Sequence, residues 1–172
     1  CKSEILKKYS FDKSIENKVN FDINTIKNTN SVSICIIQHR FFPGLIEDKS
    51  NVNRTQLSEN VTKQTIAYVK QATNIIKQKV QNPKFFVWSN DFNNLREYFS
   101  SDEYFFVDNN VKKTITDFYS MTLCKHFIIG PTTFHWWAAY LASNKNKICI
   151  KPPKDLKVSL NKDIYPKTWI GI

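Results

Sequence analysis

The sequence has little of what most nucleotide- and metal-binding signatures are made from. Only three glycines occur in 172 residues, and none forms G-x-G-x-x-G, a Walker loop or G-x-S-x-G. Dinucleotide fingerprints, P-loops and the hydrolase elbow therefore lack their essential residues. The four cysteines, Cys1, Cys35, Cys124 and Cys149, show no C-x-x-C spacing and no accompanying histidine set. That argues against a zinc site and predicts reduced core thiols of a cytoplasmic protein. No apolar run approaches the ~20 residues of a membrane span. The longest, Phe134 to Ala142, contains His135.

Arginine is equally scarce. Of 25 cationic residues only Arg40, Arg54 and Arg96 are arginine, against 15 acidic residues, for a net charge of +10. Such a balance suits an anionic partner. The lysines are spread along the whole chain rather than gathered into a stripe, which argues against nucleic acid. The composition is 41% hydrophobic and 14% aromatic, which excludes disordered and low-complexity classes and predicts one soluble globular domain. Residue 1 is Cys and the only methionine is Met121. The expectation is a processed N-terminus or, preferably, a portion of a longer chain.

Residues 1–30 read as a polar lead-in segment and 31–172 as the domain. Val32 to Ile37 is an apolar, β-branched run, the mark of a strand buried on both faces. Residues 43–56 read as a loop. From Leu57 to Val80, the residues Val61, Tyr68, Val69, Ala72, Ile75, Ile76 and Val80 follow a helical rhythm. Further strands are expected at 84–88, 104–107, 126–129 and 147–150. Between them fall a short helix capped by Ser89-Asn90-Asp91, a helix from Thr114 to Leu123 with Ile115, Phe118, Tyr119 and Thr122 inward, and a helix capped by Thr132-Thr133. Continuously apolar strands alternating with helices predict an α/β fold with a doubly wound, Rossmann-like parallel sheet.

In such sheets ligands lie beyond the carboxyl ends of the strands. Four places qualify: Gln38-His39-Arg40, Ser89-Asn90-Asp91, Asp108-Asn109 and Gly130 to Thr133. At the last, a strand runs through a tight turn into a helix, whose free N–H groups and positive end suit an anion. Thr132 and Thr133 serve equally well as plain helix caps. Arg40 is either a bidentate grip on a diphosphate or a surface residue. Asp117 either complements the helix dipole or accepts from a donor-rich base edge. Trp136 and Trp137 read as core aromatics sooner than as a ligand platform.

Asp117 to Leu141, which includes Cys124-Lys125-His126-Phe127-Ile128-Ile129 and Thr132-Thr133-Phe134-His135-Trp136-Trp137, resembles the C-terminal signature of the alpha-1,2-fucosyltransferase family, D-L-Y-L-M-S-x-C-K-H-x-I-I-x-x-S-S-F-S-W-W-x-A-W-L. Asn144 to Pro152, Phe86 to Asp91 and Asp163 to Ile170 resemble further family segments in the same order. The resemblance implies inverting transfer of fucose from GDP-fucose to a galactoside hydroxyl in surface glycan synthesis. It also implies a GT-B-type fold of which this chain is the C-terminal, nucleotide-sugar-binding portion. No metal or other cofactor is expected. By the same resemblance Thr133 and Phe134 meet the diphosphate and Asp117 reads guanine, with Thr132, Ser89 and Asp91 beside them.

The family's first motif, H-x-R-R-x-D, is replaced here by Cys35-Ile36-Ile37-Gln38-His39-Arg40. Arg40, or else His39, is the candidate substitute for the lost cations. No general base is identified. A galactose-containing glycan is the expected acceptor, and the expected location is the cytoplasm, with peripheral association at the inner membrane face left open. The alternative is a non-catalytic domain that binds a nucleotide sugar or a protein.

Overall fold

The strands form at largely apolar runs whose two faces can both be covered, and in Asn30–Ile36 even the alternating Ser31 and Ser33 are buried. A computed structural model describes residues 4, 11, 13–19, 23–38, 54–99, 102–108, 114–156 and 164–172. Among these, a short 3-10 turn (Lys13–Lys18) and helix α1 (Ile23–Asn28) precede strand β1 (Asn30–Ile36). There follow α2 (Arg54–Lys79), β2 (Pro83–Ser89), α3 (Leu95–Tyr98), β3 (Tyr104–Phe106), α4 (Thr114–Thr122), β4 (His126–Ile128), α5 (Thr133–Leu141), β5 (Cys149–Lys151) and β6 (Ile170–Gly171).

The strands form one six-stranded sheet in the order β3-β2-β1-β4-β5-β6, and every pair is parallel. This is the doubly wound arrangement expected of a GT-B nucleotide-sugar domain, and the α/β expectation holds. The order reverses between β1 and β4, where Val32 pairs with His126 and Ile34 with Ile128. At such a reversal the connections leave β1 and β4 toward opposite sides, which opens a crevice beyond their carboxyl ends.

Alternation along β1 sorts the core into two layers. Val32, Ile34 and Ile36 face α2, against Val69, Ala72 and Ile76. Cys35 faces the other way, against Met121 of α4 and Ala138 and Ala139 of α5. Tyr68 ties α2 to the sheet by donating its hydroxyl to the Ile150 carbonyl at 2.8 Å. Burial pushes that phenol well above its ordinary pKa.

Several expectations need correction. Residues 54–56 belong to the first turn of α2, not to a loop, and 43–53 lie outside the described residues. Among the described residues before 30, Lys13–Lys18 and Ile23–Asn28 form helical turns, Ile26 is fully buried, and the Phe11 ring meets Tyr119 at 5.1 Å. Ser89-Asn90-Asp91 does not cap the short helix. Asn94 precedes it with φ 64° and makes no side-chain cap, because the three upstream side chains are used within the loop. On α4 the inward face is Thr116, Ser120 and Met121, whereas Ile115 is 48% exposed. The Ser120 hydroxyl donates to the Thr116 carbonyl at 2.8 Å, so it is satisfied within its own helix and can be buried. Strand β6 went unanticipated.

Candidate functional site

At the carboxyl ends of β1 and β4, a cavity of about 330 Å³ opens at the reversal of strand order. Its walls come from β1 and its continuation (Cys35, Ile37), the end of β2 (Trp88, Ser89, Asn90), α4 (Thr114, Asp117, Met121) and the turn into α5 (Thr132, Phe134). Of the residues proposed from sequence, Ser89, Asp117, Thr132 and Phe134 therefore meet on one cavity. Asp91 and Thr133 are not among its walls. His39 and Arg40 lie outside the described residues, as does Asn109.

The turn after β4 is built around Gly130. A Cβ there would stand 2.2 Å from the Cys35 carbonyl oxygen, so only glycine lets the two strand ends approach this closely. The backbone donors of the turn divide into used and unused. Gly130 N–H donates to His135 Nδ1 at 2.9 Å, and Thr132 N–H to the Gly130 carbonyl at 2.7 Å. Pro131 has no N–H. The Thr132 hydroxyl caps α5 by accepting from His135 N–H at 3.1 Å, and the Thr132 carbonyl accepts from Trp136 N–H. The N–H groups of Thr133 and Phe134 remain, with no acceptor among the described residues. Two free donors at the positive end of a helix make a site for an anion, with the Phe134 ring on the wall beside them. Thr132 thus serves both as cap and as cavity wall.

His135 is fully buried, and its ring joins this turn to the central strand. Gly130 N–H can only donate, so Nδ1 is the acceptor, and Nε2 carries the proton and donates to Ser33 Oγ at 2.8 Å. Burial pulls its pKa down to about 3, so the ring is neutral at physiological pH. Ser31 and Ser33 in turn flank the Cys124 thiol, which burial pushes upward.

On the opposite wall, the loop after β2 is clamped to the end of β1. Gln38 N–H donates to Asn90 Oδ1 at 2.7 Å, and Asn90 Nδ2 donates back to the Gln38 carbonyl at 2.9 Å. The Gln38 side chain donates to the carbonyls of Asp91 and Asn93. The Asp91 carboxylate accepts from Asn93 N–H at 2.8 Å, so it shapes this loop. Ile37 and Gln38 point to opposite faces, as strand alternation requires. Ile37 lines the cavity, while Gln38 joins Glu59, Thr62, Lys63, Ile66, Asn94 and Tyr98 around a separate groove of about 210 Å³.

Among the described lining residues, Asp117 is the one charged side chain, and no cation is present. Asp117 stands in the first turn of α4, where it also complements the helix dipole. Among the described residues, no group of three or more His, Cys, Asp or Glu stands together as a metal site. No described helix is long and apolar enough to cross a membrane. Sequence reasoning placed Asn90 at a ligand-facing strand end but missed Trp88 and Thr114 as cavity walls and His135 as a bridge. Trp88 had a usable signal, since it flanks the carboxyl end of a predicted strand.

A parallel doubly wound sheet with two unused helix-start N–H groups near its reversal point is an arrangement suited to an anionic ligand. The model of glycosyl transferase family 11 matches residues 13–172, and the chain belongs to that family. An alpha-1,2-colitosyltransferase of Escherichia coli is 30% identical over 87% of this chain and 50% of its own length. The O-antigen biosynthesis glycosyltransferase WbnK of the same organism is 25% identical, over 61% of this chain and 35% of its own. Galactoside alpha-(1,2)-fucosyltransferase 1 of Plecturocebus brunneus is 29% identical, over 62% of this chain and 31% of its own. The chain thus spans half or less of the length of these relatives. No solved structure matches it. The family resemblance read from the sequence is borne out.

Proposed function

We propose that this chain is the donor-binding portion of a glycosyltransferase that moves fucose from GDP-fucose to a galactoside hydroxyl in surface glycan synthesis, with inversion at the anomeric carbon. The observation that carries this reading is that Asp117 and Phe134 line one cavity at the start of α5, where the N–H groups of Thr133 and Phe134 have no acceptor among the described residues. The helix start is suited to the diphosphate, and a carboxylate is suited to the N1–H and N2–H₂ of guanine. Acceptor attack on the sugar carbon breaks its bond to the β-phosphate oxygen. GDP leaves with that electron pair, and donors fixed at the phosphate stabilise the charge as it develops. Arg40 is the proposed cation for this role, and no metal is assigned. The proposed setting is cytoplasmic, at the inner face of the membrane.

Calorimetric titration with GDP, ADP and GDP-fucose tests the reading. GDP is expected to bind more tightly than ADP, and Asp117→Asn to cost about 1–3 kcal/mol of GDP affinity, because it replaces an acceptor edge with a donor. Equal affinity for GDP and ADP overturns it.

One observation favours a second reading, binding without transfer. Ile37 lines the cavity where the family motif would put arginine, and an alkyl side chain gives a leaving diphosphate nothing. GDP-fucose binding together with no release of GDP in the presence of a galactoside acceptor would support it.

A further inference from the structure

The turn that forms the anion site is held by a residue that does not line the cavity. Gly130, Pro131 and Thr132 have no regular secondary structure, and their N–H and C=O groups are free to take other arrangements unless something fixes them. The only side chain that receives the Gly130 N–H is His135, one turn into α5, and the other edge of that ring is fixed to Ser33 in the central strand. Ser33 pairs laterally with Phe86 and Phe127, in the middle of the sheet. The ring is fully buried and so has no competing solvent partner.

We infer that His135 is a positioning residue for the anion site: by accepting the Gly130 N–H on Nδ1 while Nε2–H is anchored on Ser33, it sets the turn so that Thr133 and Phe134 are the two N–H groups left for a phosphate. The inference rests on the nucleotide reading above for its ligand, but not for its geometry. If Nδ1 did not take the Gly130 N–H, that buried donor would need another acceptor. The nearest remedy is to rotate the Ile129–Gly130 peptide that carries it, which would shift the chain leading to the Thr132 cap of α5. The neutral state of the ring suits this role, since an imidazolium has no lone pair with which to accept.

Two substitutions separate the two edges of the ring. The amide oxygen of His135→Asn stands near the place of Nδ1 and can keep the Gly130 bond while giving up Ser33. The amide nitrogen of His135→Gln reaches the place of Nε2 and can keep Ser33 while orphaning Gly130. Both lose the same aromatic ring, so a purely structural role predicts similar losses in melting temperature and in affinity. The expected result is that H135N keeps GDP affinity within about twofold while H135Q loses roughly tenfold, with similar melting temperatures. Amide hydrogen exchange at Gly130 supplies a readout that needs no ligand: protection is retained in H135N and lost in H135Q. Ser33→Ala, which leaves the ring in place, should protect Gly130 and bind GDP as H135N does. Equal Gly130 protection in H135N and H135Q, or affinity that simply tracks melting temperature, overturns the inference. Split protection in a chain that binds no GDP supports the anchoring and places the failure in the nucleotide reading instead.

Discussion

The two faces of the sheet are built on opposite principles. On the α2 face, β1 presents Val32, Ile34 and Ile36, and the helix answers with Val69, Ala72 and Ile76. The hydroxyls of Thr65 and Thr73, buried there, bond to carbonyls of their own helix, and that of Tyr68 reaches the Ile150 carbonyl. On the other face the same strand presents Ser31, Ser33 and Cys35. Thr116, Ser120, Thr132 and His135 are buried around them, and Ser31 and Ser33 bond across elements, to the Lys125 N–H and the His135 ring. One face is stabilised mainly by removing apolar surface from water, the other partly by a polar network in which each member must find its partner. The cavity opens on the second face. Stability and specificity are thereby assigned to different sides of one sheet, and substitutions should separate them.

The largest effect is expected where both sides depend on one position. Gly130→Ala puts a methyl group 2.2 Å from a main-chain oxygen of β1, and backbone cannot yield as a side chain does. A loss above about 4 kcal/mol, or no folded protein, is expected in denaturant unfolding. A variant near wild-type stability would show that the strand ends can part without cost.

Ile76→Ala comes next. It removes a fully buried side chain from the α2 face and should cost about 2–5 kcal/mol of stability while leaving GDP affinity unchanged. A loss of affinity well below the unfolding transition would mean that the faces are not separable.

The pH dependence should belong to the cavity face. The folded pKa of His135 is about 3, below its ordinary value near 6.5, because burial disfavours the imidazolium. Between those values the unfolded chain takes up a proton that the folded chain refuses. Stability from this group is therefore complete above about pH 6.5 and is lost as pH falls toward 3. His126, also depressed by burial and secondarily by Lys125, contributes with the same sign. Melting temperatures at about pH 7 and pH 4.5 should differ by an amount worth roughly 2 kcal/mol more in wild type than in His135→Asn. Parallel pH profiles would remove His135 from the account.

The smallest effect sharpens the comparison. Ile37→Arg introduces a guanidinium on the cavity wall and should tighten GDP binding by about 1 kcal/mol at low ionic strength, with the gain shrinking as salt is raised. Unchanged binding would mean that the phosphates do not reach this wall.

The α2 face was far more legible in the sequence than the cavity face. Continuous apolar runs and a helical rhythm of apolar residues report burial directly, so five of the six strands and α2 could be read from local pattern. On α4 the same logic failed, because the inward positions are Thr116 and Ser120, whose burial depends on an intrahelical hydrogen bond that composition does not reveal. Strand β6 is only Ile170 and Gly171, too short to show a period. The site was legible where a local rule applied. The carboxyl ends of strands and a helix start pointed to Ser89, Asn90 and Thr132, and the family resemblance added Phe134 and the role of Asp117. It was illegible where partners are remote in sequence. Asn90 and Gln38 are 52 residues apart and His135 and Ser33 are 102 apart, and nothing local announces either pair.

The outer strands carry a consequence for how the molecule behaves among its own copies. An exposed strand edge is a template on which another chain can add, and long, flat edges invite such growth. Here the sheet ends in β3, of three residues, and β6, of two. At the latter, the Lys151 side chain lies across Gly171, with its Cε 2.9 Å from where a Cβ would stand. An incoming strand would find few main-chain groups to pair with. Among the described residues, the sheet in this way presents only short margins for edge-to-edge growth.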